Sequence, residues 1–527
     1  MRLAFACRAS LPRLAWGAVI EKGPGDATLY HGEQIEVRED GFFEGAWNGP
    51  VNPASALTAS VVCGSGGAFD GYVLRFWAGT DNIFPIYSIR RNGALLVSNS
   101  AIFVQVLAGE EPDPAYPFYY DDFVRIARRG FNTRGSLRTA SGNRLRLHFG
   151  HIMTVDRHLN NWFSRHPVCA PFSGYESYYR LLSSSVEQVL ENASSGQRRC
   201  PYTALASCTR GYDANACAAI AARAGCEEAV TFTTPEEDGG MSDSGEEIAR
   251  ALKLRCVTGS KRDFRSAEDL SEFCITPHSI YPTYRVFESV LPGRILLMGS
   301  NGGVVWGMNR SLAFDDNCMS WLRYVAGYGL LEFRLRLGFL AFAPARIGSV
   351  YNRQLHRISH SEEMRPWRLS GNYDRPIARR IVEEAGVDRG AFGMRKMASS
   401  QVRFDGPAMQ QSSTGLAYRR FMEERARKVG PLVGRYWRYC YRWRLFILRN
   451  FSRPDRRVGR YTPFRRMFSF LMGRPAFYEW YFLFTHQFSF DALMDRYTVY
   501  EAPQPAARGD EARAEQAGRS ARSGTAL

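Results

Sequence analysis

A chain of 527 residues is too long for one ordinary hydrophobic core, so two or three domains are expected. Its composition, 45% hydrophobic and 23% charged, is that of a globular protein and excludes a largely disordered chain. The formal net charge of +16 suits an anionic partner such as a nucleotide, a nucleic acid or an anionic membrane surface, while an Arg-rich codon bias is the alternative explanation.

The cysteines and the apolar segments narrow the class further. Eleven cysteines are scattered without a CxxC pair or zinc spacing, which indicates free thiols in a reducing cytoplasm. The apolar start of the chain is interrupted by Arg8 and alternates like a strand, which favours a first β-strand over a signal peptide. No apolar run reaches the roughly 18 residues that span a bilayer. We therefore expect a cytoplasmic protein.

The pattern of apolar residues predicts β-strands first and alternating strands and helices afterwards. Short apolar runs separated by Gly, Asn and Pro predict strands at 72–76, 86–89 and 94–97. Helical periodicity then covers 175–192. Further on, strands are predicted at 202–207, 229–233, 255–257 and 294–298, with helices at 215–224, 245–252 and over much of 316–400. Such β-α-β units imply a parallel sheet and an α/β fold.

These changes of pattern divide the chain into four parts. We predict a β-rich domain over 1–170, a parallel-sheet domain over 171–400, a basic aromatic helical extension over 401–501 and a disordered tail over 502–527. Arg and aromatic residues interleave across 418–466. A helix packed on the core with its aromatics inward is the favoured interpretation. Contact with an anionic membrane surface is the first alternative, and nucleic-acid binding is the less favoured one.

A loop between the strand 202–207 and the helix 215–224 is the best candidate for a binding site. Its sequence is Thr209-Arg210-Gly211-Tyr212-Asp213-Ala214. Gly211 permits a tight turn, and the start of the following helix offers N–H groups to an anion. Asp213 could hold a metal ion that bridges phosphates, or could cap the helix. From the residues alone, a turn without any ligand remains an equal alternative.

The loop resembles the pyrophosphate-binding SGGxDS loop of N-type ATP pyrophosphatases, in the asparagine synthetase branch. Gly211 and Asp213 match strictly and Thr209 keeps a hydroxyl, whereas Arg210 and Ala214 depart from the pattern. The resemblance implies an ATP site with Mg²⁺ on Asp213. The implied nucleotide contacts are Thr209, Arg210, Gly211, Tyr212, Asp213, Thr231 and Gly299.

Three later segments carry the same resemblance. Residues 243–249 are similar to the acidic helix start of the family, and 373–396 to its C-terminal segment, which implies a catalytic cation at Lys396 or Arg395. Residues 298–307 resemble the loop G-x-G-x-D-E-x-F-G. The acidic pair of that loop falls on Gly303 and Val304, so both carboxylates are absent.

The first domain resembles the glutaminase domain of asparagine synthetases through residues 84–100. The nucleophile of that domain is a Cys directly after the initiator Met, and Arg2 stands there in this chain. The resemblance therefore implies an ATP-pyrophosphatase domain of the HUP type behind an Ntn-like sandwich without glutaminase activity.

The function implied by this resemblance is that of an ATP-dependent amide-forming ligase. It would adenylate an unidentified small-molecule or peptide carboxylate and transfer the acyl group to ammonia or an amine, with Lys396 neutralising charge in the transition state. The alternative is a catalytically impaired, nucleotide-binding or scaffolding protein, which the residues Gly303, Val304, Ala214 and Arg210 favour. A homodimer is left open.

Overall fold

The computed structural model describes most of the first 394 residues and two short segments after them. The described residues are 2–23, 27–114, 116, 119, 122, 123, 126, 135–233, 242–275, 281–308, 328–369, 371, 373–394, 409, 412–417, 420, 424 and 485–499. Arg395, Lys396, most of the predicted extension 401–501 and the predicted tail 502–527 lie outside them.

Two β-sheets and two short helices make up the regular structure of the described part of the first 170 residues. Their strands are β1 Leu3–Cys7, β2 Trp16–Glu21, β3 Ala27–His31, β4 Glu36–Arg38, β5 Gly41–Trp47, β6 Val62–Phe69, β7 Val73–Trp77, β8 Ile86–Arg91, β9 Ala94–Ser98, β10 Ser136–Arg138, β11 Arg144–His148, β12 His151–Asp156 and β13 Asn161–Arg165. One sheet has the order β1-β3-β2-β9-β8-β11-β10 and the other β13-β12-β7-β6-β5-β4. Neighbouring strands are antiparallel except β1 and β3.

Aromatic side chains that alternate with outward-facing residues fill the space between these sheets. The ring of Trp16 stacks on Phe76 with the centroids 5.7 Å apart and meets Phe42 edge-on at 5.0 Å. All three residues are fully buried. Because the inward positions repeat every second residue, each strand contributes one face to this core.

A third sheet, which consists of five parallel strands, follows in the chain. Its strands are β14 Thr203–Ser207, β15 Glu228–Phe232, β16 Arg255–Gly259, β17 Arg294–Leu297 and β18 Leu340–Phe342. They lie in the order β16-β15-β14-β17-β18. From β14 the chain moves first to one side and then returns to the other, so the direction of the connections changes between β14 and β17. Ligands of open α/β sheets bind in the crevice at such a point, at the carboxyl ends of the strands.

The α-helices of both parts are short except for one. They are α1 Pro53–Thr58, α2 Ala101–Ala108, α3 Tyr175–Ser194, α4 Asp213–Arg223, α5 Glu246–Ala251, α6 Gly302–Val305, α7 Leu331–Leu337, α8 Asn352–His360 and α9 Pro376–Glu384. The 3-10 helices are Asp263–Ser266, Ser271–Phe273, Pro282–Phe287, Tyr328–Leu330, Pro344–Arg346, Ser349–Tyr351, Glu362–Trp367 and Met494–Tyr497. Among the described residues, no helix combines the length and the apolar character needed to cross a membrane.

The structure confirms the predicted strands and helices up to residue 298, with ends that agree to within two residues. It also confirms the mixed α/β class with a parallel sheet.

A buried ion pair joins the two packed sheets of the first 170 residues, called the sandwich below, to the part of the chain that contains the parallel sheet. Arg334 on α7 donates two hydrogen bonds to Glu44 on β5, from Nη1 to Oε2 at 2.7 Å and from Nη2 to Oε1 at 2.9 Å. The two side chains are only 1% and 0% exposed. Glu44 also accepts a hydrogen bond from the Ser65 hydroxyl at 2.7 Å. The carboxylate therefore keeps its cationic partner only while the two parts stay together.

A C-terminal segment returns to the same junction. Residues 485–493 are helical, and the hydroxyl of Tyr497 donates to Glu332 on α7. Glu332 also accepts from the Ser100 hydroxyl at 2.8 Å, directly before α2. Burial raises the pKa of this carboxyl to about 7. The cluster thus ties the sandwich, α7 and the C-terminal segment together.

Candidate functional site

The loop predicted to bind phosphate lies at the switch point of the parallel sheet. It connects the end of β14 to α4, beside the loop that follows β17. A Cβ atom added to Gly299 in that second loop would lie 2.4 Å from the backbone nitrogen of Ala214. A Cβ added to Gly245 would lie 2.5 Å from the carbonyl carbon of Cys208. The two glycines therefore let both neighbouring segments approach the loop backbone closely.

The backbone N–H groups at the start of the loop are bonded within the protein. Thr209 N–H donates to Asn215 Oδ1 at 3.1 Å, and Arg210 N–H donates to Asp243 Oδ1 at 2.9 Å. Gly211 N–H donates to the hydroxyl of Thr209 at 2.9 Å. A phosphate could use these three donors only by displacing the present acceptors. The loop as it stands does not offer the backbone cradle that the family resemblance implies.

Asp213 is engaged by a cation of the chain itself. Its Oδ2 accepts a hydrogen bond from Nη1 of Arg375, and the two side chains are 18% and 10% exposed. Burial alone would lower the pKa of Arg375, but the carboxylate beside it holds this pKa above its ordinary value. The guanidinium also lies over the ring of Tyr373, 4.8 Å from its centroid. Arg375 is thus held from two sides.

The ion pair of Arg375 with Asp213 occupies space beside Gly302 and Gly303 of α6, which have no side chains to fill it. A Cβ on Gly302 would lie 2.6 Å from Cγ of Asp213, and a Cβ on Gly303 would lie 2.3 Å from Nη2 of Arg375. Any side chain at Gly303, including the carboxylate of the resembling family, would push the guanidinium away from Asp213. Gly303 and the ion pair of Arg375 with Asp213 therefore form one arrangement.

Two predicted nucleotide contacts have side chains that bond inside the protein. The buried hydroxyl of Tyr212 accepts a hydrogen bond from Nη2 of Arg379 at 2.6 Å, and its ring packs against Tyr373 and Phe392. The buried hydroxyl of Thr231 accepts from the Gly245 N–H at 2.7 Å. The other predicted contacts are partly exposed at the crevice between the carboxyl ends of β14 and β17. They are Thr209, Arg210, Gly211, Asp213 and Gly299.

The predicted catalytic cations Arg395 and Lys396 lie outside the described residues. The chain just before them reaches the loop, because Gly393 N–H donates to the carbonyl of Arg210 at 2.8 Å. The ring of Phe392 packs edge-on against Tyr212 with the centroids 5.9 Å apart. The structure therefore brings the segment that precedes the basic pair to the loop 209–214.

The residue that sequence reasoning missed is Arg375. It stands 162 positions after its partner Asp213, and no spacing in the sequence connects the two. The signal that could have suggested it is indirect. Gly303 stands where the resembling loop carries an acid, so the space beside Asp213 is open to a cation from a distant segment.

The described residues do not fit a magnesium site at Asp213. Its carboxylate is already bonded to a guanidinium, which a divalent cation would have to displace. The Mg²⁺ that the resemblance implies is therefore not supported by the geometry of the crevice.

The close packing at Gly299 lets us predict how a substitution there changes the free energy of unfolding. Replacing Gly299 by alanine is expected to lower the free energy of unfolding by about 1–3 kcal/mol, since the new methyl group meets backbone atoms that cannot move aside. Urea unfolding measures the change. The matched control is Gly196→Ala, where a Cβ meets nothing within 4 Å and stability should stay equal or rise slightly. Equal stabilities of the two variants would show that the loops are not packed as described.

Comparisons with known proteins do not assign this site. No family model matches the chain, and no curated protein matches it significantly.

Proposed function

We propose that this chain is a catalytically impaired, asparagine-synthetase-like protein that binds the phosphates of a nucleotide such as ATP in the crevice between β14 and β17. One observation carries the proposal: Arg375 holds Asp213 in the space that Gly303 leaves open. The finer fold assignment, a HUP-type domain behind an Ntn-like sandwich, belongs to the same proposal.

The position and the charge of the crevice support nucleotide binding. It lies at the switch point of a parallel sheet, beside the N-terminus of α4, and both features favour anionic ligands. Arg210 and Arg375 supply two guanidinium groups at this place. Guanidinium groups form charge-assisted, often bidentate hydrogen bonds with phosphate oxygens. We therefore assign the phosphate contacts to these side chains, in place of the loop N–H groups.

The same geometry argues against efficient turnover. Adenylation needs charge-stabilising groups directed at the phosphates that change in the transition state. Here the N–H groups of Thr209, Arg210 and Gly211 are bonded internally, and Asp213 is neutralised by Arg375. The acidic pair of the family is also missing at Gly303 and Val304. What remains is an anion-binding site with few groups that could stabilise the transition state, as expected for a nucleotide-binding or scaffolding protein.

A second candidate function is the ATP-dependent amide-forming ligase itself. The hydrogen bond from Gly393 to Arg210 favours it, because it brings the chain that leads to Arg395 and Lys396 to the loop. A carboxylate would displace pyrophosphate from ATP to give an acyl-adenylate. Ammonia or an amine would then displace AMP and form the amide.

Three earlier expectations stay predictions. They are the carboxylate substrate, a homodimer and a membrane contact through 418–466.

Pyrophosphate release separates the two candidates. Pure protein is incubated with ATP, Mg²⁺, hydroxylamine as a general acyl acceptor and pooled carboxylates, beside the variant Lys396→Ala. We expect the native protein to release no more pyrophosphate than the variant. Carboxylate-dependent release that falls roughly a hundredfold in Lys396→Ala, the scale of one lost electrostatic contact, would contradict the proposal and establish the ligase.

A further inference from the structure

A cavity of about 370 Å³ lies where the sandwich meets the carboxyl end of β18. The segments 60–61, 80–82 and 165–169 line it from the sandwich side, and 342–350 line it from the parallel-sheet side. Its size is at the lower end of the range for small-molecule sites, which is roughly 300–1,000 Å³. The cavity is separate from the loop 209–214, which contributes no lining residue.

Buried polar atoms with unused hydrogen-bonding capacity line this cavity. They are Oδ2 of Asp81, Oδ1 of Asn82 and both Nη atoms of Arg346, none of which has a hydrogen-bond partner in the part of the chain that the structure describes. The three residues are only 5%, 7% and 5% exposed. Arg346 and Asp81 attract each other electrostatically, but these atoms form no hydrogen bond. Buried polar groups in native proteins are nearly always hydrogen-bonded. Such a cluster indicates a ligand.

These groups are held in place by contacts that leave the unused atoms available. Nε of Arg346 donates to the backbone carbonyl of Asp81 at 3.1 Å. Oδ1 of Asp81 accepts from the Ile83 N–H at 3.3 Å. Asn82 adopts a left-handed backbone conformation with a φ of 55°, which Asn tolerates better than most residues. The cluster is therefore organised before any ligand arrives.

The charges of the cluster restrict the ligand. Burial raises the pKa of Asp81 to about 6, so its carboxyl is mainly ionised at neutral pH. Burial lowers the pKa of the lining residue His166 to about 4, so this ring stays neutral. An anion alone would leave Asp81 unsatisfied, and a cation alone would leave Arg346 unsatisfied. A ligand that carries both charges satisfies both residues.

We propose that this cavity binds a free amino acid, with the ligand carboxylate on Arg346 and its protonated amine on Asp81 and Asn82. Charge-assisted hydrogen bonds at both ends would supply the affinity. We place the mouth at the exposed lining residues Arg165, Pro167 and Val168, of which Val168 is 53% exposed. The proposal does not depend on nucleotide binding at the crevice.

Calorimetry with the twenty free amino acids at millimolar concentration tests the proposal on the full chain. At least one should bind, and its N-acetyl and methyl ester derivatives should bind at least roughly tenfold more weakly, because each derivative removes one charge-assisted contact. Arg346→Met should weaken binding of the free amino acid by a similar factor. The conservative control Tyr72→Trp, on an 83% exposed side chain away from the cavity, should bind normally.

A second variant keeps the test decisive if Arg346→Met does not fold. Val168→Trp fills the mouth from an exposed position, and it should reduce binding at least tenfold without changing the melting temperature by more than the Tyr72→Trp control does. The proposal is overturned if no free amino acid binds, if both derivatives bind as well as the free amino acid, or if binding is unchanged in Val168→Trp.

Discussion

Replacing Arg334 by alanine is expected to lower the free energy of unfolding by about 3–5 kcal/mol, the largest effect that the structure predicts for a single change. The substitution leaves the carboxylate of Glu44 buried without its bidentate partner, at the junction of the two parts of the chain. Chemical denaturation followed by circular dichroism measures the loss. Separate unfolding of the two parts would be an additional sign that the junction has opened.

Two further variants show whether the buried charge is the cause. Arg336→Ala changes the same helix at a side chain that is 31% exposed. Its buried partner Glu272 keeps Arg496 as a second cation, so this change should cost clearly less, about 1 kcal/mol. The double substitution Glu44→Leu with Arg334→Met removes both charges and should recover most of the stability. If Arg334→Ala and Arg336→Ala lose equal stability, the pair is not buried as described.

Replacing Arg375 by methionine is expected to weaken ATP binding by roughly ten- to hundredfold, the usual value of a hydrogen bond to a charged group. The variant removes a phosphate donor and also leaves Asp213 as an uncompensated negative charge at the same place. Mg²⁺ should then partly restore affinity in the variant by binding to the freed carboxylate. Calorimetric titration with ATP, with and without Mg²⁺, measures both effects.

The control for this variant is Arg389→Met. Arg389 is another Arg of the same part of the chain, but its side chain is 46% exposed and pairs with Glu383. Its loss should change ATP affinity less than about threefold, because exposed ion pairs contribute little. Unchanged ATP affinity in Arg375→Met would remove this residue from the phosphate site.

Local patterns in the sequence were sufficient to predict part of the fold, including the parallel sheet as far as β17. Short apolar runs separated by Gly, Asn and Pro identified β7 to β9. The change to helical periodicity located α3, and the β-α-β pattern after it located β14 to β17 with α4 and α5. The loop 209–214 was singled out because Gly211 permits a tight turn before a helix and because the loop resembles the SGGxDS loop. Its place at the switch point follows from the strand order. β18 has three residues, which is too short for periodicity to show, and only its pairing with β17 defines it.

The ion pairs of the site and of the junction could not be predicted from local patterns. The pairing of Asp213 with Arg375 and that of Glu44 with Arg334 connect residues 162 and 290 positions apart. Nothing local distinguishes these residues from other charged ones. The inward orientation of Tyr212 and Thr231 likewise depends on partners from distant segments, namely Arg379 and Gly245. Tertiary packing therefore decides which loop residues can meet a ligand.

The affinity of Asp213→Asn for ATP tests the central claim most directly, because the two candidate functions predict opposite changes. If Arg375 neutralises Asp213, the native protein binds ATP equally well in Mg²⁺ and in EDTA. Asp213→Asn then binds ATP at least as tightly, since Arg375 is released to contact phosphate. Binding that requires Mg²⁺ and is lost in Asp213→Asn would contradict the account, as would the absence of any ATP binding at millimolar concentration.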